Sequence, residues 1–162
     1  MRVLGIDPGL RITGFAIAEA RPGSLMPTLV EAGAIKLNAK DSVPDRLAQL
    51  HEELTAVVRD GKPQRAAVEQ LFAHYAHPRT AIIMGHARGV ILLTLSSAGL
   101  PIEDLPATEV KRAITGNGHA PKRQVQEAVA AQCGLDAPPE PPDVADAIAI
   151  ALCAARRIAL AG

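Results

Sequence analysis

The segment Pro142-Asp143-Val144-Ala145-Asp146, continued by Ala147-Ile148-Ala149-Ile150-Ala151, reads as a helix of small apolar residues that carries two carboxylates near its start. Residues three apart in a helix share a face, so Asp143 and Asp146 point the same way. The stretch before it, Ala137-Pro138-Pro139-Glu140-Pro141-Pro142, cannot be helical and acts as a stiff lead-in. At the opposite end of the chain, Val3-Leu4-Gly5-Ile6-Asp7-Pro8-Gly9 is an apolar strand that stops at a turn, with an acid at its tip. A fold that serves both ends must bring a strand terminus and a helix start together.

The intervening pattern is α/β. Strands are expected at Val3 to Asp7, Thr13 to Ala18 and about Thr28 to Leu37, with Gly33 a candidate bulge. Their closeness in sequence and the turn residues between them predict an antiparallel meander. A helix from about Pro44 to Asp60 carries Leu47, Leu50, Leu54 and Val57 at helical spacing, with Gly61 past its end. Ala66-Ala67-Val68-Glu69 is a short buried strand. A helix from about Arg79 to Ala98 contains Gly85 and Gly89, which allow close packing, and Pro101 to Leu105 is a fifth strand. Thr108 is a candidate N-cap for a helix ending at Gly116, and Pro121 falls in the first turn of another that stops at Gly134. The expectation is a single domain over residues 1–162, built on a five-stranded mixed sheet. Three strands are antiparallel, two are parallel, and helices cover both faces. At 48% hydrophobic residues the chain can fill such a core, which with 2% aromatics must be aliphatic.

In that sheet Asp7 and Glu69 can be neighbours, and the last helix brings Asp143 and Asp146 to the same point. Asp7 alone is a common turn-former, and Asp143 alone is favoured at a helix N-terminus. Glu69 at the end of an apolar strand is costly to bury without a partner, and Asp146 sits a turn deeper among alanines and isoleucines. Four carboxylates in one place repel one another unless a cation lies between them, and oxygen-only ligation favours Mg2+ or Mn2+. Two such ions can activate a water and stabilise the leaving oxygen of a phosphoryl displacement.

Basic residues cluster as Lys111-Arg112 and Lys122-Arg123 around the loop Gly116-Asn117-Gly118-His119. Such pairs are often only solvated helix faces. In a chain of zero net charge their concentration near an acidic centre favours phosphate contacts, with Arg79 and Arg88 as weaker candidates. Phe72, one of two phenylalanines, follows the Glu69 strand and is a candidate for stacking on an unpaired base, ahead of Tyr75. His74 and His77 have a spacing that can suit zinc but lack companion ligands. Cys133 and Cys153 have no pairing or metal spacing and read as buried thiols in a reducing compartment. The helix from Arg79 to Ala98 is apolar all round, so the sheet or a partner subunit must cover it.

Four segments in order carry a resemblance: Gly5-Ile6-Asp7-Pro8-Gly9-Leu10-Arg11-Ile12-Thr13-Gly14, Val68-Glu69-Gln70-Leu71-Phe72, Gly85-His86-Ala87-Arg88-Gly89-Val90, and Asp143 through Ala151. Together they resemble the RuvC family of crossover-junction endodeoxyribonucleases, the Holliday-junction resolvases. The resemblance implies a ribonuclease-H-like fold, a homodimer, and paired symmetric cuts across a four-way DNA junction. It also implies a cytoplasmic setting and a branch-migration complex of the RuvA and RuvB type as partner. Asp7, Glu69, Asp143 and Asp146 match the family's catalytic acids, although some members carry a histidine where this chain has Asp143. Lys111 and Lys122 match its DNA-binding lysines, Lys111 with a further catalytic role on the scissile phosphate. Phe72 matches its stacking aromatic.

Two other functions are weighed against this. A relative acting on ribosomal RNA would lack the full acidic quartet ahead of the Ala-Ile-Ala-Ile helix, and the Phe72 loop discriminates further. A sugar-kinase or actin-type nucleotide binder also opens with an acidic strand–turn but needs two such domains, more than 162 residues supply. A catalytically dead junction-binding module is disfavoured because all four acids are present. No charged-then-apolar leader and no long apolar span are evident, which argues for neither secretion nor membrane insertion.

Overall fold

The computed structural model describes residues 1–9, 11–71 and 76–161. Its sheet holds β1 (Arg2–Asp7), β2 (Ile12–Glu19), β3 (Thr28–Lys36), β4 (Arg65–Glu69) and β5 (Ile102–Leu105), in the spatial order β3-β2-β1-β4-β5. The β3-β2-β1 half is antiparallel, while β1-β4 and β4-β5 are parallel. The five helices are α1 (Val43–Gly61), α2 (Pro78–Ser97), α3 (Ala107–Thr115), α4 (Lys122–Cys133) and α5 (Pro142–Ala161).

Strand alternation divides the core into two layers. Leu4, Ile6, Ala66 and Val68 face α1 and α2, packing with Leu50, Leu54, Ala87, Ile91 and Leu95. Val3 and Ala67 face the other way, onto α3, α4 and α5. Helix α5 is the centre of that second layer. From Val144 to Ala155 every residue but Asp146 is buried, which explains its alanine content: it is covered by sheet on one side and by α3 and α4 on the other.

Four details differ from the sequence reading. The irregularity between β2 and β3 falls at Val30, where the register slips between the Ile17–Glu31 and Ala18–Leu29 pairs, and not at Gly33. Gly33 instead lies under the Phe15 ring, where a Cβ would come within 2.7 Å of Cζ. Thr108 does not cap α3. The helix starts at Ala107 behind Pro106, whose extended backbone directs its carbonyl to the amides of Glu109 and Val110. Pro121 caps α4 from outside, accepting from the Val125 amide, and Lys122 is the first helical residue. Finally, α2 is long and apolar enough to cross a membrane by length and composition, against the expectation of no such span. Met84, Ala87, Ile91, Thr94 and Leu95 of this helix are buried within the subunit, while Ile82 is 62% and Leu93 64% exposed.

Candidate active site

The parallel register sets Ile6 opposite Val68, so the next residues, Asp7 and Glu69, end adjoining strands side by side. Both continue the alternation of Val3 and Ala67 and therefore lie on the α5 face. Two glycines then let α5 reach them. A Cβ on Gly5 would stand 2.5 Å from the Ala151 amide nitrogen and 2.6 Å from the Ala147 carbonyl oxygen. A Cβ on Gly14, the residue paired with Asp7 across β1 and β2, would fall onto the Asp143 carbonyl. The helix rests almost directly on the sheet backbone, and its first two turns bring Asp143 and Asp146 beside the strand ends.

The charges respond to this convergence. Asp7 is 9% exposed. Burial pushes its carboxyl up to about 8, aided by the charges of Glu69, Asp146 and Asp143 and opposed by Lys122. Glu69 is raised by burial and by Asp146, while a hydrogen bond from Asp7 and the charges of Lys111 and Lys122 oppose the rise. Asp146 is raised by burial, against a hydrogen bond and charge from Lys122. Burial of the Lys122 ammonium works to lower its pKa, but the Asp146 hydrogen bond and the charges of Asp146, Asp7 and Asp143 outweigh it, so the lysine is held above its usual range. Its Nζ stands 3.1 Å from Asp146 Oδ2.

Glu69, Asp146, Lys111 and Lys122 line a cleft of about 200 Å3, floored by Ala107, Val110, Val125 and Ala149. Among the described residues no group of three acids, histidines or cysteines is disposed to hold an ion as it stands. The chemistry of the donor set nevertheless fits a hard divalent cation. The available donors are all carboxylate oxygens, burial pushes the Asp7 carboxyl up, and the Lys122 ammonium supplies a positive charge to Asp146.

The other expected residues are placed as follows. Lys111 is half-buried in the cleft wall, while Arg112, next to it in sequence, is exposed with its guanidinium against Gly118. Arg123 is exposed and paired with Glu127 at 2.9 Å. Arg79 is exposed in the first turn of α2. Arg88 is turned inward, with one terminal nitrogen on the Glu69 carbonyl at 2.6 Å and the other on Asp104. Phe72, His74 and Tyr75 lie outside the described residues. Asp104 and Gly14 were not singled out from the sequence. Only the knowledge that β5 neighbours β4 gives Asp104 a role, and only the landing point of α5 gives Gly14 one.

This topology, with acids at the adjoining ends of the central parallel pair, defines a ribonuclease-H-like nuclease fold. The family model described as "Crossover junction endodeoxyribonuclease RuvC" matches residues 3–154. The chain is 52% identical over 151 residues to the crossover junction endodeoxyribonuclease RuvC of Rhodopirellula baltica, covering 93% of this chain and 84% of that one. Thermus thermophilus RuvC superimposes with a TM-score of 0.88 at 30% identity, over 99% of this chain and 97% of that one. The same protein in complex with a Holliday junction substrate gives 0.90 at 32% identity, over 99% and 96%. The chain belongs to the RuvC family of crossover junction endodeoxyribonucleases, and so is a nuclease that hydrolyses phosphodiester bonds.

Proposed function

We propose that the protein resolves four-way DNA junctions by symmetric paired nicks, with water attacking the scissile phosphate at a site of four carboxylates. The observation that carries this is the convergence of Asp7, Glu69, Asp143 and Asp146 beside a cleft flanked by Lys111 and Lys122. The four acids are assigned as the ligands of Mg2+, with Mn2+ able to substitute, at two ions per site. Bound there, the ions supply activation of the water and neutralisation of the leaving oxygen. The chain's own residues do the rest. Asp7 and Glu69 give up any shared proton as the site charges, and Lys122 exchanges Asp146 for a DNA phosphate. Lys111 offers its ammonium to the charge that grows on the scissile phosphate. Arg112 and Arg123, with Arg79 further off, extend the backbone-binding surface. Phe72 stacks on a base unpaired at the crossover. The test is a synthetic four-way junction with Mg2+, its products read at nucleotide resolution. Symmetric nicks are expected, with little cutting of linear duplex. Equal cutting of an RNA–DNA hybrid would sink the reading.

The two lysines separate from ordinary surface charge by salt. Lys111→Ala and Lys122→Ala should each weaken junction binding and flatten its dependence on salt, since each lost phosphate contact removes about one released counterion. Unchanged slopes in both variants would make them solvated surface residues. Lys111→Ala should also lose rate at saturating enzyme.

Phe72→Ala should lose junction cleavage by the equivalent of about 1–3 kcal/mol, the worth of one stacked base. Phe72→Tyr should recover most of it. A fully active alanine variant, or one whose loss follows its melting temperature alone, removes the stacking role.

Paired nicks require two sites on a two-fold axis, which supports a homodimer. Helix α2 offers the surface. Gly85 and Gly89 are exposed, and among the described residues nothing beyond their chain neighbours and the helix's own backbone lies within 4 Å of where their Cβ atoms would be. Ile82 and Leu93 extend that stripe. Each glycine costs the helix about 1 kcal/mol relative to alanine, a cost that a closely packed partner helix would explain. Gly85→Leu and Gly89→Leu should leave the subunit no less stable to heat yet shift sedimentation toward monomer on dilution. An unshifted equilibrium would move the interface elsewhere. Family membership further supports a cytoplasmic setting and a branch-migration complex of the RuvA and RuvB type as partner.

A further inference from the structure

We propose that Arg88 is a positioning residue for Glu69, acting through the backbone at the end of β4 and not through DNA. The proposal rests on the reading of Glu69 as a metal ligand. Arg88 projects from the middle of α2, and its side chain is 12% exposed. Nη1 donates to the Glu69 carbonyl at 2.6 Å, and Nη2 is ion-paired to Asp104 of β5. The peptide that follows Glu69 is held at its other edge as well, because the Gln70 amide donates to the Leu105 carbonyl at 3.0 Å. Both polar groups of one peptide plane are therefore fixed, one by β5 and one by Arg88.

That plane sets the Cα of Glu69 and hence the direction in which its Cβ leaves the strand. Among the described residues, the Gln70 amide makes the last ladder bond from this end of β4 to β5. Glu69 is the last residue of its strand, so the ladder alone holds its backbone from one side only. The guanidinium is suited to this task by shape. Its two terminal nitrogens diverge from one rigid plane, so the Asp104 contact orients the group and the carbonyl contact uses that orientation. A lysine at the same place has a single nitrogen and cannot hold both groups in one geometry. The same two contacts turn the charge away from solvent, which removes Arg88 from the phosphate surface.

The test measures Mn2+ binding without DNA, by electron paramagnetic resonance of the free ion, alongside cleavage and junction affinity. Arg88→Met should raise the Mn2+ half-saturation point and lower kcat at saturating junction, each by about tenfold or more, as groups that orient metal ligands commonly do. Junction affinity without metal, and its salt slope, should stay at the wild-type values. Arg88→Lys should recover only part of either loss. Asp104→Asn leaves Arg88 present but less firmly held, and should shift both quantities the same way by a smaller factor. It also keeps the question open to test if Arg88→Met does not fold. Wild-type Mn2+ binding in the Arg88 and Asp104 variants, with activity falling only as far as melting temperature does, would make the arginine a structural strap and overturn the proposal. A salt slope reduced by about one would make it a phosphate contact and overturn it equally. If the wild-type protein binds no Mn2+, the metal reading itself fails, and the carboxylate role that Arg88 supports fails with it.

Discussion

Asp7→Asn should abolish cleavage and, in the absence of metal, raise the melting temperature. The two effects have one cause. Asp7 is buried beside three other carboxylates, and its carboxyl is pushed up to about 8 from its ordinary value of 3.8. Between those values the folded chain holds a proton that the unfolded chain releases, so this group makes stability fall as pH rises through that window. Asparagine is neutral in both states and removes the slope, while its amide can still donate to Glu69. One pKa unit is about 1.36 kcal/mol, so half of the displacement is worth on the order of 2–3 kcal/mol. For a chain of this length that is a rise on the order of 5 °C or more at pH 7.5. The advantage should shrink as pH is lowered toward 4 and vanish only below that, where Asp7 is protonated in both states. Mg2+ should reverse the order, because it stabilises only a site that can bind it. The wild-type melting temperature should climb with Mg2+, more steeply at pH 8 than at pH 6, and the variant's should not. Junction binding should persist while cleavage falls on the order of a thousandfold or more. Scanning calorimetry across pH, with and without Mg2+, checks the stability half. A variant that melts earlier at every pH would show that the Asp7 carboxyl is a structural group.

Asp146→Asn should behave differently despite equal loss of activity. Its carboxylate is partnered by Lys122 at 3.1 Å, so its removal takes away an ion pair along with a buried charge. The contrast between the two aspartates comes from the lysine, which lies 24 residues earlier in sequence on another helix. No spacing rule connects them.

Strand one was legible because Val3 to Ile6 is apolar and Pro8-Gly9 ends it, and α5 because Asp143 and Asp146 fall on one helical face. From these the convergence with Glu69 follows once β1 and β4 are neighbours in a mixed sheet, and the register shows that they are, as a parallel pair. What escaped was whatever depended on packing distance. Gly33 has the composition of a bulge, yet it is a seat for the Phe15 ring, and the slip occurs three residues earlier. Thr108 has the chemistry of a cap, yet the rigid extended backbone of Pro106 starts the helix two residues sooner. Arg88 stands in a motif otherwise free of acids, so the sequence offers solvent or phosphate as its partners. The fold supplies a carbonyl and an aspartate from two different strands.

Gly14→Ala should cost far more in rate than in stability. Gly14 takes no left-handed backbone, so alanine meets no conformational barrier and the effect is steric. The added methyl would overlap the Asp143 carbonyl and touch Ala147 Cβ at 3.2 Å. The first turn of α5 must then retreat from the sheet by more than about 1 Å, a displacement that in an active site commonly costs about a hundredfold. Overpacking of this size destabilises by about 1–3 kcal/mol, part of it relieved because the Pro-rich lead-in can carry the helix start outward. All four carboxylates survive, so raised Mn2+ should restore part of the rate, whereas no concentration of metal should rescue Asp7→Asn. Gly5→Ala meets the same helix one turn later, through the Ala147 carbonyl and the Ala151 amide, and should show the same partial rescue with a larger loss of stability. Gly85→Ala, which meets no described atom of its own subunit beyond its helix, is the control for stability alone and should stabilise its helix. Wild-type rates in Gly14→Ala at limiting metal would mean that the start of α5 does not set the position of Asp143 and Asp146. The close seating of that helix on the sheet would then be a matter of folding alone.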